Sequence, residues 1–152
     1  MKIRYFLLAS SILITIISCK KDGGALSIKL QSVSSNIVPV GGDLSITLQF
    51  TSTGSPIDSI FMNRFRINQD SASVPTVTTE SVIIPASYPG ATKGQLQFDL
   101  EYNLFLTTAV TPPTFGNPPQ NESDSLIFKF VAKDADNHVS DTVTTGLIVI
   151  QR

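Results

Sequence analysis

From Ala25 onward the apolar side chains recur at every second position, and clusters of Gly, Pro, Asn and Asp interrupt the alternation. Successive side chains of an extended strand point to opposite faces, whereas a helix needs apolar residues three and four apart. No window shows a convincing helical period, so the pattern predicts strand after strand separated by turns. Leu26, Ile28 and Leu30 alternate with Ser27 and Lys29. Past a turn at Pro39-Val40-Gly41-Gly42-Asp43, Leu44, Ile46, Leu48 and Phe50 alternate with Ser45, Thr47 and Gln49. A turn at Thr53-Gly54-Ser55-Pro56 leads to a strand with Phe61, Asn63, Phe65 and Ile67 on one side and Met62, Arg64 and Arg66 on the other. Thr76 to Ile84 reads as an edge strand, and Leu96, Phe98, Leu100 and Tyr102 mark the most regular strand. Leu126, Phe128 and Phe130 resume the pattern, and an Asp134–His138 turn closes a hairpin with a return from Val139 to Ile150. About seven strands result, which predicts an all-β, Ig-like antiparallel β-sandwich.

Two stretches stand outside this pattern. Thr111 to Asn121 contains Pro112, Pro113, Pro118 and Pro119. Prolines lack the amide donor of a ladder and favour extended polyproline geometry, so the stretch is expected to be an exposed excursion. The apolar run Tyr5 to Ile17 follows Lys2 and Arg4 and is shorter than the roughly 20 residues that cross a bilayer as a helix. It reads as a cleavable leader over residues 1–18.

Ile16-Ile17-Ser18-Cys19 resembles the lipobox of bacterial lipoproteins: an aliphatic residue, a tolerant position, a small residue at the cut, then the cysteine. The resemblance implies that Cys19 becomes the lipidated first residue of the mature chain. Two or three acyl chains, at about 0.8 kcal/mol per buried methylene, hold a protein to a membrane permanently. Residues 19–25, with Lys20-Lys21-Asp22-Gly23-Gly24, then form a flexible tether, and residues 26–152 form the folded domain. The Lys-Lys-Asp run is similar to the lysine-plus-acidic signal that directs lipoproteins of the Bacteroidetes group to the cell surface. The expected place is the cell envelope at the outer membrane, with the periplasmic and outer sides both open.

Cys19 is the one cysteine, so the folded domain has neither a disulfide framework nor a thiolate metal site. Removing Lys2 and Arg4 with the leader leaves nine basic against twelve acidic side chains, a formal net charge of −3. That balance gives no electrostatic ground for nucleic-acid binding.

Candidate chemistry is sparse. Nucleophilic catalysis needs a nucleophile, a base and an orienting group, and His138 is the one imidazole. It stands beside Asp136 and Asn137 in a turn, where an ordinary solvated role suffices. Asp99 and Glu101 share one strand face, Arg64 and Arg66 another, and their alternation with Phe98, Leu100 and Phe65 predicts that both pairs face solvent. No catalytic residue and no cofactor are therefore expected. Asp134, Asp136 and Asp141 are candidate calcium ligands, yet calcium prefers six to eight oxygens and this turn supplies about three.

The segment Phe128 to Asp141 resembles the last hairpin of bacterial Ig-like and cadherin-like modules, with Asn137-His138 where that family has Gly-Asn. Asp58-Ser59-Ile60, Asp70-Ser71-Ala72, Asp124-Ser125-Leu126 and Asp141-Thr142-Val143 resemble the O-glycosylation acceptor of the Bacteroidetes group, which makes Ser59, Ser71, Ser125 and Thr142 candidate acceptors. Tyr88 and Phe115, both in expected loops, are candidate partner contacts. The sequence thus predicts a membrane-anchored, non-catalytic binding or structural module with a protein or glycan partner. The alternative is an accessory glycan-binding lipoprotein of a nutrient-uptake system, although the absence of Trp weighs against flat sugar platforms.

Overall fold

A computed structural model describes residues 26–68, 77–83, 92–107, 112 and 114–152. The leader, Cys19, the tether, Ser71 and Tyr88 lie outside the described residues. In chain order the strands are β1 (Leu26–Val33), β2 (Ile37–Val38), β3 (Leu44–Ser52), β4 (Ile57–Arg66), β5 (Val77–Ile83), β6 (Lys93–Leu100), β7 (Thr114–Phe115), β8 (Gln120–Asn121), β9 (Asp124–Asp134), β10 (Val143–Thr144) and β11 (Ile148–Ile150). One sheet has the order β1-β3-β6 and the other β2-β11-β9-β4-β5, with β10 also paired to β9. The chain changes sheet between β1 and β2, β2 and β3, β3 and β4, β5 and β6, and again between β6 and β9. These crossings, and the division of strands between two sheets, make the domain an all-β sandwich.

The alternation read from the sequence explains the core. Leu44, Ile46, Leu48 and Phe50 of β3 and Leu96, Phe98 and Leu100 of β6 turn inward from one sheet. Ile60 and Met62 of β4 and Leu126, Phe128, Phe130 and Ala132 of β9 meet them from the other. The Phe98 and Phe130 rings, 5.3 Å apart and tilted by 36°, bridge the two sheets. Burying a side chain of this size contributes about 1.5–3 kcal/mol.

The return after β9 is a broken strand. Only β10 and β11 pair with β9 over residues 143–150, and side chains fill the gaps. Ser140 Oγ accepts the Ala132 amide at 2.9 Å, and Thr145 Oγ accepts the Phe128 amide at 3.0 Å. The buried donors of β9 are thereby satisfied where a ladder is missing.

Four expectations need correction. The sandwich is not wholly antiparallel, because β2 runs parallel to β11 with Ile37 opposite Val149. Tyr102 does not extend β6. It opens a single π-turn, Tyr102–Leu106, in which the Leu106 and Thr107 amides donate five residues back to Glu101 and Tyr102. The proline-rich excursion does ladder briefly: Thr114 pairs with Asn121 and Phe115 with Gln120, and Pro118 and Pro119 occupy the connection instead of the rungs. Finally, Arg64 and Arg66 do not face solvent but point between the sheets, at 7% and 4% exposure.

The strand directions separate two ends. Leu26 pairs with Ser52 at the end that also holds the β3–β4 turn and the β9–β10 hairpin. Leu44, Leu100, Arg66, Asp124 and Ile150 lie at the opposite, far end.

Candidate functional site

The far end is closed by charge instead of hydrocarbon. Arg66 stands opposite Leu126 on β9, and Asp124 begins the same strand two residues earlier. Arg66 Nε lies 2.6 Å from Asp124 Oδ1. The chain continues past Ile150, which pairs with Asp124, and brings Arg152 back to the same carboxylate: Nε donates to Oδ2 at 2.7 Å and Nη2 lies 2.5 Å from it. The side chains of Asp124 and Arg66 are 1% and 4% exposed and that of Arg152 11%, so two guanidiniums, one buried and one partly buried, share one buried carboxylate.

Backbone carbonyls of the π-turn complete the enclosure. Arg64 Nη1 donates to the Phe105 carbonyl and Arg152 Nη2 to the Thr107 carbonyl, the latter at 3.4 Å. Burial holds the Arg64 guanidinium below its ordinary pKa; Asp124 opposes this shift, and Arg152 and Arg66 add to it. Tyr102 locks the turn to the sandwich, its hydroxyl donating to the Gln151 carbonyl at 2.6 Å and its amide to Asp43 Oδ1 at 3.2 Å. Asn68 joins the ends of β4 and β9: Oδ1 accepts from Arg66 Nε at 3.2 Å and from the Ser125 amide at 3.1 Å, and Nδ2 donates to the Ser123 carbonyl at 3.1 Å. Glu122, two residues before Asp124, is also buried.

Arginines engaged by a carboxylate and by main-chain carbonyls hold the segments that carry those groups in place. Around this network, exposed apolar side chains mark the loops of the same end: Val40 in the β2–β3 turn, Leu104 and Phe105 in the π-turn, and Phe115 in β7. Phe115 is 51% exposed and lies in sequence between Thr107 and Asp124, both at the far end.

The opposite end carries a second buried carboxylate. Asp134 Oδ1 accepts the amides of Asp136 and His138 at 3.0 and 2.8 Å, and Oδ2 meets His138 Nδ1 at 2.9 Å. Burial pushes the Asp134 carboxyl up, but the hydrogen bonds from His138 and Asp136 outweigh it and hold the carboxyl below its ordinary range. Asn137 takes a left-handed φ of 68°, so asparagine does here what glycine does in the similar hairpins.

The candidate calcium residues are therefore otherwise engaged. Asp134 caps its own turn, Asp136 accepts from the Ser55 hydroxyl, and Asp141 is exposed. Among the described residues no group of three or more His, Cys, Asp or Glu side chains is placed to hold a metal ion.

Asp99 and Glu101 are exposed as expected. Ser45 Oγ donates to the Asp99 carboxylate at 2.6 Å and Gln97 Nε2 at 2.9 Å, and these bonds hold it below its ordinary pKa. Of the candidate glycan acceptors, Ser59 is buried in β4 and does not offer its hydroxyl once folded, Ser125 is half-buried in β9, and Thr142 is exposed.

Sequence reasoning missed Asp124, Arg152 and Glu122 and placed Arg64 and Arg66 on the wrong side. Parity groups Arg64 and Arg66 with Ile60 and Met62, not with Phe61 and Phe65, but it does not say which of these two apolar phases is buried.

No protein-family model and no curated protein matches the chain. Its fold is similar to part of a β-glucosidase from Listeria innocua solved with gluconolactone, at 9% identity and a TM-score of 0.44 over 84% of this chain. The chain spans 16% of that enzyme's length. It is similar at 14% identity and a TM-score of 0.41 to the Bacillus subtilis sporulation control protein Spo0M, of which 50% is covered. A Niemann-Pick type C2 protein from the Japanese carpenter ant is covered over 96%, at 9% identity and a TM-score of 0.44. Among the described residues no helix is long and apolar enough to cross a membrane.

Proposed function

We propose that the chain is a lipid-anchored envelope protein whose sandwich is a non-catalytic module presenting its far end to a partner. The observation that carries this reading is the polarity of the molecule. A tether through Cys19 would enter at Leu26, and the exposed Val40, Leu104, Phe105 and Phe115 belong to loops of the other end. Exposed apolar side chains rimmed by polar residues are the usual mark of a recognition surface. Behind them the Arg66–Asp124–Arg152 triad and the Arg64–Phe105 bond fix the π-turn, which lowers the ordering cost of binding.

The test uses a photo-crosslinking side chain in the full-length protein in its own cells. Crosslinks from positions 104 and 115, with none from position 139 at the opposite end, are the expected result. Adducts from position 139 alone would reverse the assignment. The anchor is tested by Cys19→Ala, which should move the protein from the membrane to the soluble fraction. Retention on a glycan array that is lost on Phe115→Ala would make the partner a saccharide.

A further inference from the structure

On the outer face of the six-stranded sheet, two neighbouring rows match across the flanks of β4. Across β5, β4 and β9 the register sets Val82–Phe61–Val131, then Glu80–Asn63–Lys129, then Thr78–Phe65–Ile127. An acidic side chain on one flank of the central strand thus lies level with a basic one on the other, and apolar residues stand above and below them. Glu80 and Lys129 are exposed, and no salt bridge among the described residues joins them. Lys129 Nζ lies 4.6 Å from the centre of the Phe65 ring. At the middle of the face, Asn63 Oδ1 is buried and makes no hydrogen bond among the described residues.

A twofold axis parallel to β4, lying in the plane between two such faces, maps β4 onto itself and exchanges β5 with β9. Glu80 of one copy then falls on Lys129 of the other, twice, Val82 falls on Val131, and Asn63 meets Asn63. These two rows are self-complementary, as an isologous interface must be, and the next sets Thr78 against Ile127. A rotation about an axis along the strands also preserves strand direction, so both copies present Leu26 at the same end. Two chains related in this way can both be anchored in one membrane; a twofold axis across the strands would point one tether away from it.

We propose that this face pairs two copies of the chain side by side on the membrane, with Glu80 and Lys129 as reciprocal partners. The inference rests on the lipid-anchored reading above. Three strands about 4.8 Å apart, contributing a few residues each, make a patch well below the roughly 800 Å² per partner of a stable soluble dimer. Confinement to one surface supplies the effective concentration that such a small contact needs.

The experiment places cysteine at Asn63, on the axis, in the full-length protein in native membranes, and applies mild oxidation. Asn63→Cys should give disulfide dimers, while Gln49→Cys, exposed on the central strand of the other sheet, should not. Adding Lys129→Glu should cut the Asn63→Cys dimer at least fivefold, and adding Glu80→Lys to that variant should restore it. Membrane-bound protein in which Asn63→Cys crosslinks no more than Gln49→Cys, or in which Lys129→Glu changes nothing, overturns the pairing alone. Protein recovered in the soluble fraction overturns the anchor and the anchored pairing together.

Discussion

Strand β9 begins and ends on a buried aspartate, and the two are solved in opposite ways. Asp124 and Asp134 share the inner face, and each is 1% exposed. Asp134 is satisfied within five residues of chain, by two amides and one imidazole. Asp124 is paired in charge with side chains 58 residues before it and 28 after it in sequence, Arg66 and Arg152. The first is a turn device that any hairpin can carry. The second exists only when β4, β9 and the C-terminal residues have already met, so it reports on the whole fold. Buried charge is costly in both cases, but only at the far end does removing one group strand other charges.

That contrast is open to attack by mutation. Asp124→Ala should be the most damaging change, about 3–5 kcal/mol by denaturant unfolding, because two guanidiniums, one buried and one partly buried, lose their counter-charge. Replacing the triad together, Asp124→Leu with Arg66→Met and Arg152→Met, should recover most of that loss, since a buried ion network is often no better than well-packed hydrocarbon. If the triple variant is as unstable as the single one, the triad does more than neutralise itself.

Asp134→Asn should cost less at neutral pH and change the acid response more. The folded Asp134 carboxyl lies below its ordinary value, so the folded state binds fewer protons there than an unfolded aspartate near 3.9. Its stabilisation is complete above that value and is lost as pH falls from it through the lower folded one. Unfolding midpoints measured from pH 6 down to 2 should therefore fall less steeply in Asp134→Asn than in the parent.

The smallest expected effect is at the turn itself. Asn137→Ala should cost about 1 kcal/mol, the penalty of a left-handed φ on a side chain with no local hydrogen bonding, while Asn137→Gly should be neutral.

The strands were legible because period two leaves little choice where only one phase is apolar. Leu44 to Phe50 and Leu96 to Leu100 are cases of this kind, and both lie where the alternation puts them. On β4 both phases carry large apolar residues, Phe61 and Phe65 in one and Ile60 and Met62 in the other. The sequence alone cannot rank them, and two arginines in a row bias the choice toward solvent. Their burial depends on Asp124 and Arg152, far away in the chain, and no local pattern announces such a meeting. The π-turn was hidden for a similar reason: Tyr102 continues the alternation of β6 and leaves it only because its hydroxyl reaches the Gln151 carbonyl.

The orientation of β1 has a mechanical meaning. Leu26 opens an edge strand that lies antiparallel along β3 from Ser52 to Ile46. A pull at Leu26, directed away from that end of the sandwich and resisted at the far end, acts along the strand axis. All rungs between β1 and β3 then share the load in shear, whereas an edge strand entered from the far end would peel away one hydrogen bond at a time. A domain held at one end and gripped at the other is, in this geometry, strung along its strongest direction.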